Sequence, residues 1–166
     1  MGIIGYGNNG RRVAELAEAF AMRVKIGRRP GSSDTTRPTL KQLAPTVDVL
    51  TLHCPLTPET KNLVNDEILS LMKPTAFLIN TARGGIVDEE ALLTALKNGK
   101  LAGAATDVLT IEPPVHSNPL IDAQLPNLII TPHVAWASRE AREEIIHQTV
   151  ENIRNFKKGH PIRTVS

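Results

Sequence analysis

The chain has very little cysteine. Cys54 is its single thiol in 166 residues, so no disulfide can form within it, and a reducing compartment, the cytoplasm, is the expected setting. Long hydrophobic runs are missing too: no stretch approaches the roughly 20 apolar residues of a membrane-spanning helix, and no signal peptide opens the chain. Neither sign of charge dominates. Nineteen Lys and Arg against 17 Asp and Glu leave a net charge of +2. That is compatible with anionic ligands but too mild to argue for nucleic acid. Internal repeats and low-complexity tracts are absent, and no metal-ligand set is assigned. The length fits one domain over residues 1–166, long enough to bury a sizeable core.

What is present starts at the first residue. Met1-Gly2-Ile3-Ile4 is an apolar run that enters Gly5-Tyr6-Gly7-Asn8-Asn9-Gly10 directly, and a helical pattern follows at once. Strand, glycine turn and helix in that order are the context a dinucleotide fingerprint requires. Gly5 makes the tight turn, Gly7 lets backbone approach a pyrophosphate, and Gly10 lets helix and strand pack closely. The helix N-terminus offers unpaired N–H groups and a partial positive charge to phosphates.

Strand and helix signals then alternate. The first helix carries Val13, Leu16, Ala17 and Phe20 at helical spacing. Strands are expected near 23–26, 47–52, 76–80, 102–106 and 128–131. Short helices follow near 40–43 and from an Asn65 cap to Met72. Asp88 caps another with Leu92, Leu93 and Leu96 inward, and Ser138 caps a long one to about Lys158 with Ile146, Val150 and Ile153 inward. Six alternating strands predict a Rossmann-type α/β fold, a doubly wound parallel sheet in three layers, ordered 3-2-1-4-5-6. Ligands of such sheets bind outside the carboxyl ends of the strands.

Those ends supply the candidate chemistry. Arg83 follows the fourth strand, Asp107 and Glu112 the fifth, and His133 the sixth. A guanidinium fork can hold a carboxylate or carbonyl oxygen. Histidine exchanges protons near neutral pH, and a carboxylate beside it favours imidazolium and orients the ring. The trio suits proton and hydride transfer at a carbonyl next to a carboxylate, with a nicotinamide supplying the hydride. Pro113 biases Glu112 toward an extended backbone. His53, His116, His147 and His160 are read as non-catalytic, and Cys54 as a small buried hydrophobe or part of the nicotinamide pocket.

The stretches GYGNNG, HCPLTPET, INTARGGIVDEEAL, DVLTIEPP and TPHVAWASREA resemble the D-isomer-specific 2-hydroxyacid dehydrogenase family, which includes glycerate and phosphoglycerate dehydrogenases and glyoxylate/hydroxypyruvate reductases. The resemblance implies that Arg83 binds substrate, that His133 is the general acid/base and that Glu112 pairs with it. It implies that Gly7, Asn8, Asn9 and Gly10 form the pyrophosphate loop. Thr81, Ala82, Asp107 and Ala135 match positions around the nicotinamide and its ribose, and Cys54, Pro55 and Thr60 fall in the loop bordering the cofactor. A homodimer is implied in the same way.

Two departures matter. Where an NAD enzyme usually places an acidic residue for the adenosine ribose, this chain has Gly27-Arg28-Arg29-Pro30 with Ser32 and Ser33 nearby. Arg28 and Arg29 favour a 2′-phosphate, hence NADP over NAD. The family's substrate domain, built mainly from residues ahead of the fingerprint, is not in this sequence, which closes on Pro161–Val165, similar to the family's usual end. Cofactor binding with little turnover is therefore expected of this chain alone. A non-catalytic NAD(P)-sensing module, like the family's co-repressor relatives, is the alternative reading.

Overall fold

The computed structural model describes residues 1–164, so Val165, the last residue of the closing segment noted above, lies outside the described residues. Met1–Pro132 forms one compact unit and the chain from His133 onward a second.

The first unit is built from β1 (Gly2–Ile4), α1 (Asn8–Ala19), β2 (Lys25–Ile26) and α2 (Leu40–Leu43), which runs into a 3-10 turn at Ala44–Thr46. Then come β3 (Val49–Leu52), α3 (Asp66–Leu71), β4 (Phe77–Asn80), α4 (Glu89–Lys97), β5 (Gly103–Thr106), α5 (Pro119–Asp122) and β6 (Leu128–Ile130). All strand pairings are parallel, from Gly2 beside Lys25 and Leu50 to Thr106 beside Ile130. Neighbouring residues of β1 face opposite ways. Gly10 of α1 packs toward Ile3, whereas Ile4 joins Leu40 and Leu43 of α2 in the core. Helices therefore cover both faces, giving the three-layer Rossmann-type arrangement.

The strand order corrects the expectation. The sheet runs β2-β1-β3-β4-β5-β6, not 3-2-1-4-5-6. Residues 27–39 contain no strand; Pro30, Gly31 and Pro38 interrupt any ladder there. The expected third strand is present as β3, but it pairs with β1, Gly2 beside Leu50, on the side away from β2. The main core fills the α2 face. Leu50, Leu52, Leu78 and Ala104 of the sheet meet Ile68 and Leu69 of α3, Leu92, Ala95 and Leu96 of α4, and Leu120 of α5. Between the fifth and sixth strands, where the sequence analysis assigns no helix, lies the short α5; Asn118 caps it and Pro119 opens it.

Two helix faces also differ from expectation. In α1 the buried residues are Gly10, Ala14 and Ala17, while Leu16 is exposed and Phe20 is 82% exposed. The period was legible but its phase is set by Gly10 against the sheet. In the second unit, Ser138 caps α6 (Arg139–Lys157) by accepting from the Ala141 N–H. Ile146, Val150 and Ile153 nevertheless point outward, with Ile146 66% exposed. A lone helix has no second element within its own unit against which to bury a stripe.

One glycine contact ties two loops together. A Cβ at Gly84 would overlap the backbone carbonyl of Leu109. Gly84→Ala is expected to cost about 1–3 kcal/mol, the scale of overpacking. Gly7→Ala, where a Cβ meets nothing within 4 Å, should cost only the roughly 0.5–1 kcal/mol by which alanine is worse than glycine at a helix N-cap. Urea midpoints of both variants check this; equal midpoints would show that the loops do not depend on the contact.

Candidate functional site

The chain leaves β1 for β2 on one side and returns to place β3 on the other. The crevice outside the carboxyl ends of β1 and β3 is therefore the switch point of the sheet. Gly5 turns there with φ +93, and any side chain on it would run into the backbone of His53 and Cys54. The His53 N–H donates to the Ile4 carbonyl at 2.7 Å. A Cβ at Gly10 would sit on the Gly5 carbonyl oxygen. Gly7 is the N-cap of α1 and makes no side-chain cap bond, and no acidic residue stands in the first turn. The other five helices each have a side-chain cap, from Thr39, Asn65, Asp88, Asn118 and Ser138. Among the described residues, α1 alone keeps the donors and dipole of its first turn available to an outside anion. The open space at Gly7 and the blocked space at Gly5 and Gly10 are what a pyrophosphate cradle requires.

A cavity of about 620 Å³ lies beside this turn, lined by Asn9, His53, Cys54, Pro55, Leu56, Thr81, Ala82 and Arg83. Six of these were sequence candidates, and the volume falls in the usual range for small-molecule sites. Burial holds the His53 imidazole below its ordinary value and the Cys54 thiol above its own. Both are therefore neutral near pH 7, and Arg83 is the one ionised side chain in the lining. The Arg83 loop is fixed from beneath by Asn80, a buried residue that the sequence reading quoted without a role. Its amide nitrogen donates to the Arg83 carbonyl at 3.0 Å and its amide oxygen accepts from the Ala82 N–H at 3.1 Å. An asparagine ending an apolar strand was the available signal. Arg83 itself donates to the Ala82 carbonyl at 2.6 Å. Thr60 is buried, and its hydroxyl bonds the Pro55 carbonyl at 2.7 Å and the Thr57 N–H at 2.7 Å, so it organises the bordering loop from within.

The β5 loop forms the next part of the rim. Asp107 is buried, accepts from the Thr131 hydroxyl at 2.5 Å and donates its N–H to the Asn80 carbonyl at 2.9 Å. Glu112 accepts from the Leu109 N–H at 2.6 Å, which curls its loop, and the Glu112–Pro113 peptide is cis. Glu89, the first residue of α4, was missed by the sequence reading. Its two oxygens accept from the Thr110 N–H at 2.6 Å and the Asn118 side chain at 2.9 Å, bracing the same loop. His133 and Ala135 belong to the second unit. His133 has φ +53, a left-handed conformation uncommon outside glycine, and its carbonyl accepts from the Trp136 indole at 2.8 Å.

Residues 1–135 match the family model described as D-isomer specific 2-hydroxyacid dehydrogenase, NAD binding domain. The chain belongs to this dehydrogenase family. It is 50% identical over 168 residues to a glycerate dehydrogenase of Methylorubrum extorquens, a match covering 99% of this chain and 52% of that protein. An NADPH-dependent glyoxylate/hydroxypyruvate reductase of Sinorhizobium meliloti, solved with NADP and malonate, superposes with a TM-score of 0.87 at 37% identity, over 99% of this chain and 52% of that one. A D-isomer specific 2-hydroxyacid dehydrogenase of Lactobacillus delbrueckii, solved with NAD, gives 0.86 at 28% identity, over 99% and 54%. The chain thus spans about half the length of the relatives it matches.

Within this dehydrogenase domain, the segment after β2 departs from the NAD pattern. Arg28 pairs its N–H with the Pro38 carbonyl at 2.7 Å, closing residues 28–38 into a loop. Arg29 is exposed. The sequence reading found no carboxylate at this strand end; Asp34 stands farther along the loop, with Oδ2 3.8 Å from the Nε of Arg37 three residues on.

For the pyrophosphate cradle the expected outcome is sharp. Gly7→Val projects a side chain into the space before α1, where its Cβ meets nothing within 4 Å. It should abolish dinucleotide binding while the chain stays folded, its stability lower by about 1 kcal/mol from the poorer N-cap. Calorimetric titration with NAD(H) and NADP(H) is the check, and near-parental affinity in the folded variant would remove the glycine turn from the site.

Proposed function

We propose that this chain is the nucleotide-binding half of an enzyme that interconverts small D-2-hydroxy acids and the matching 2-keto acids, of the glycerate, hydroxypyruvate and glyoxylate kind. The observation that carries the reading is the uncapped, glycine-opened start of α1 beside a cavity whose one ionised lining group is Arg83. When bound, a nicotinamide dinucleotide supplies or accepts the hydride.

The chain's own residues bind, orient and move a proton. The α1 N-terminus with Gly7, Asn8, Asn9 and Gly10 holds the pyrophosphate. Arg83 holds the substrate carboxylate or carbonyl oxygen through its guanidinium fork. In reduction, His133 gives a proton to the carbonyl oxygen, and in oxidation it takes the proton back. The left-handed backbone at His133 supports that role, since such conformations cluster at functional positions. Glu112 acts as the carboxylate partner of the imidazole. Cys54, Pro55, Thr81, Ala82, Asp107 and Ala135 surround the nicotinamide and its ribose. The Trp136 region and the Glu112-Pro113-Pro114 segment favour the glycerate/hydroxypyruvate branch. The whole enzyme is read as a cytoplasmic homodimer. Half of a closed cleft does not exclude water, so this chain alone is a cofactor binder with little turnover.

Arg28 and Arg29 tilt cofactor choice toward NADP(H). At low ionic strength NADPH should bind this chain more tightly than NADH, and the margin should shrink as salt screens the exposed charges. Equal affinities at low salt, or a preference for NADH, would reduce the arginines to a solvated turn.

The acid/base role is tested on the chain joined to the substrate domain of its glycerate dehydrogenase relative. His133→Gln should lower kcat for hydroxypyruvate or glyoxylate roughly 100-fold or more, the scale of a lost general acid, with NADPH affinity nearly unchanged. Steady-state kinetics with a parallel binding titration measure both, and near-full activity would exclude His133 from proton transfer.

A further inference from the structure

Arg37 was not singled out by the sequence, and its placement is specific. The neck of the loop after β2 holds it: the Arg28 N–H donates to the Pro38 carbonyl at 2.7 Å and the Arg28 Nε to the Arg37 carbonyl at 3.3 Å. The Arg37 guanidinium carbon lies 5.4 Å from the centroid of the Tyr6 ring, and that of Arg11 lies 5.5 Å from the same centroid. Tyr6 stands between Gly5 and Gly7, so the ring ties the basic loop to the pyrophosphate turn. Such stacking leaves a guanidinium edge available for hydrogen bonding.

We propose that Arg37 is a specificity residue for the adenosine 2′-phosphate of NADP(H), and that the Asp34 carboxylate is an internal stand-in which this phosphate displaces. The proposal rests on the NADP-favouring reading above and names the groups that decide it. Asp34 is the one acidic residue between Gly27 and Pro38, against Arg28, Arg29 and Arg37. Its two oxygens are used unequally. Oδ1 accepts from the Thr36 N–H at 2.8 Å and hydroxyl at 2.6 Å, which shapes the loop. Oδ2 is the oxygen 3.8 Å from the Arg37 Nε. The Thr36 hydrogen bonds, followed by the fields of Arg37 and Arg28, hold the carboxyl below its ordinary range, so it remains an anion. An exposed ion pair at that distance is weak and readily exchanged. A phosphate dianion brings more charge and three acceptor oxygens, which suit a guanidinium fork better than one distant carboxylate oxygen.

The test is calorimetric titration of the full chain with adenosine 2′,5′-bisphosphate, 5′-AMP, NADP⁺, NAD⁺ and inorganic phosphate. Arg37→Met should weaken the bisphosphate and NADP⁺ about tenfold or more, the scale of a lost hydrogen bond to a charged group, with 5′-AMP and NAD⁺ within about twofold. Arg37→Lys should restore part of the loss. Asp34→Asn should bind the bisphosphate several-fold tighter with 5′-AMP unchanged. Unaltered bisphosphate affinity in Arg37→Met, or a parallel loss for 5′-AMP, overturns the proposal. So does a loss of NAD⁺ affinity in Asp34→Asn, which would make Asp34 an acceptor for the ribose hydroxyls, and so does inorganic phosphate binding as tightly as the bisphosphate. Parent chain that does not distinguish the bisphosphate from 5′-AMP sinks the cofactor preference as well. Discrimination that survives Arg37→Met sinks only the present inference.

Discussion

The carbonyl oxygen of Gly5 occupies the place where residue 10 would carry a Cβ. That close approach fixes α1 against β1, and much else follows from it. With Gly10 pressed to the sheet, the buried side of the helix must be Gly10, Ala14 and Ala17, all small, and bulkier residues turn to solvent. The same contact aims the first turn of α1 outward from the strand end, with no side chain of its own to satisfy it. A helix start that other proteins would cap is here left as an electrostatic opening beside a cavity. The cost of an uncapped terminus, typically about 1 kcal/mol, is the stability given up for that opening.

The opposite wall is built by different means. The strands are three or four residues long along this rim, too short to hold long loops by ladders alone. Polar side chains beneath the loops take over: Asn80 under Arg83, Glu89 under Thr110 and α5, Thr60 inside the Pro55 loop. No buried side-chain nitrogen or oxygen among the described residues lacks a partner. Buried networks of this kind are costly when half-satisfied and rigid when complete. The exposed, chemistry-bearing residues of the first unit are thus carried on loops whose undersides are fully bonded.

How much of this the residues disclosed depended on the range of the interaction. Local signals were read correctly. The Asn65, Asp88 and Ser138 caps lie where their side chains suggest, since an N-cap bond spans only three residues. Short apolar runs between helical patterns marked all six strands, a signal equally local in the chain. Anything set by a distant partner was not legible. Val13, Leu16 and Phe20 share a helical period, but only the Gly5 carbonyl decides which way that helix faces. The place of β3 depended on its long-range pairing with β1, Gly2 beside Leu50, and the outward stripe of α6 on what stands opposite it. In the site, the glycine turn and the Arg83 loop were recognisable because their chemistry is contiguous. Asn80, Glu89 and Arg37 were passed over because their partners lie elsewhere in the chain or, for Asn80, in the backbone of a loop whose shape the sequence does not give.

The sequence contains one tryptophan, and its indole is bonded to the carbonyl of His133. That places the sole strong ultraviolet emitter of the chain in the second unit, whereas the glycine turn and the cavity belong to the first. Excitation at the long-wavelength edge of indole absorption, where Tyr6 of the glycine turn does not absorb, selects emission from the second unit. A shift in its wavelength or anisotropy when nucleotide is added reports the surroundings of the Trp136 indole and of the His133 segment it is bonded to. The molecule has its own optical gauge of whether the loaded sheet and the histidine-bearing segment sense one another.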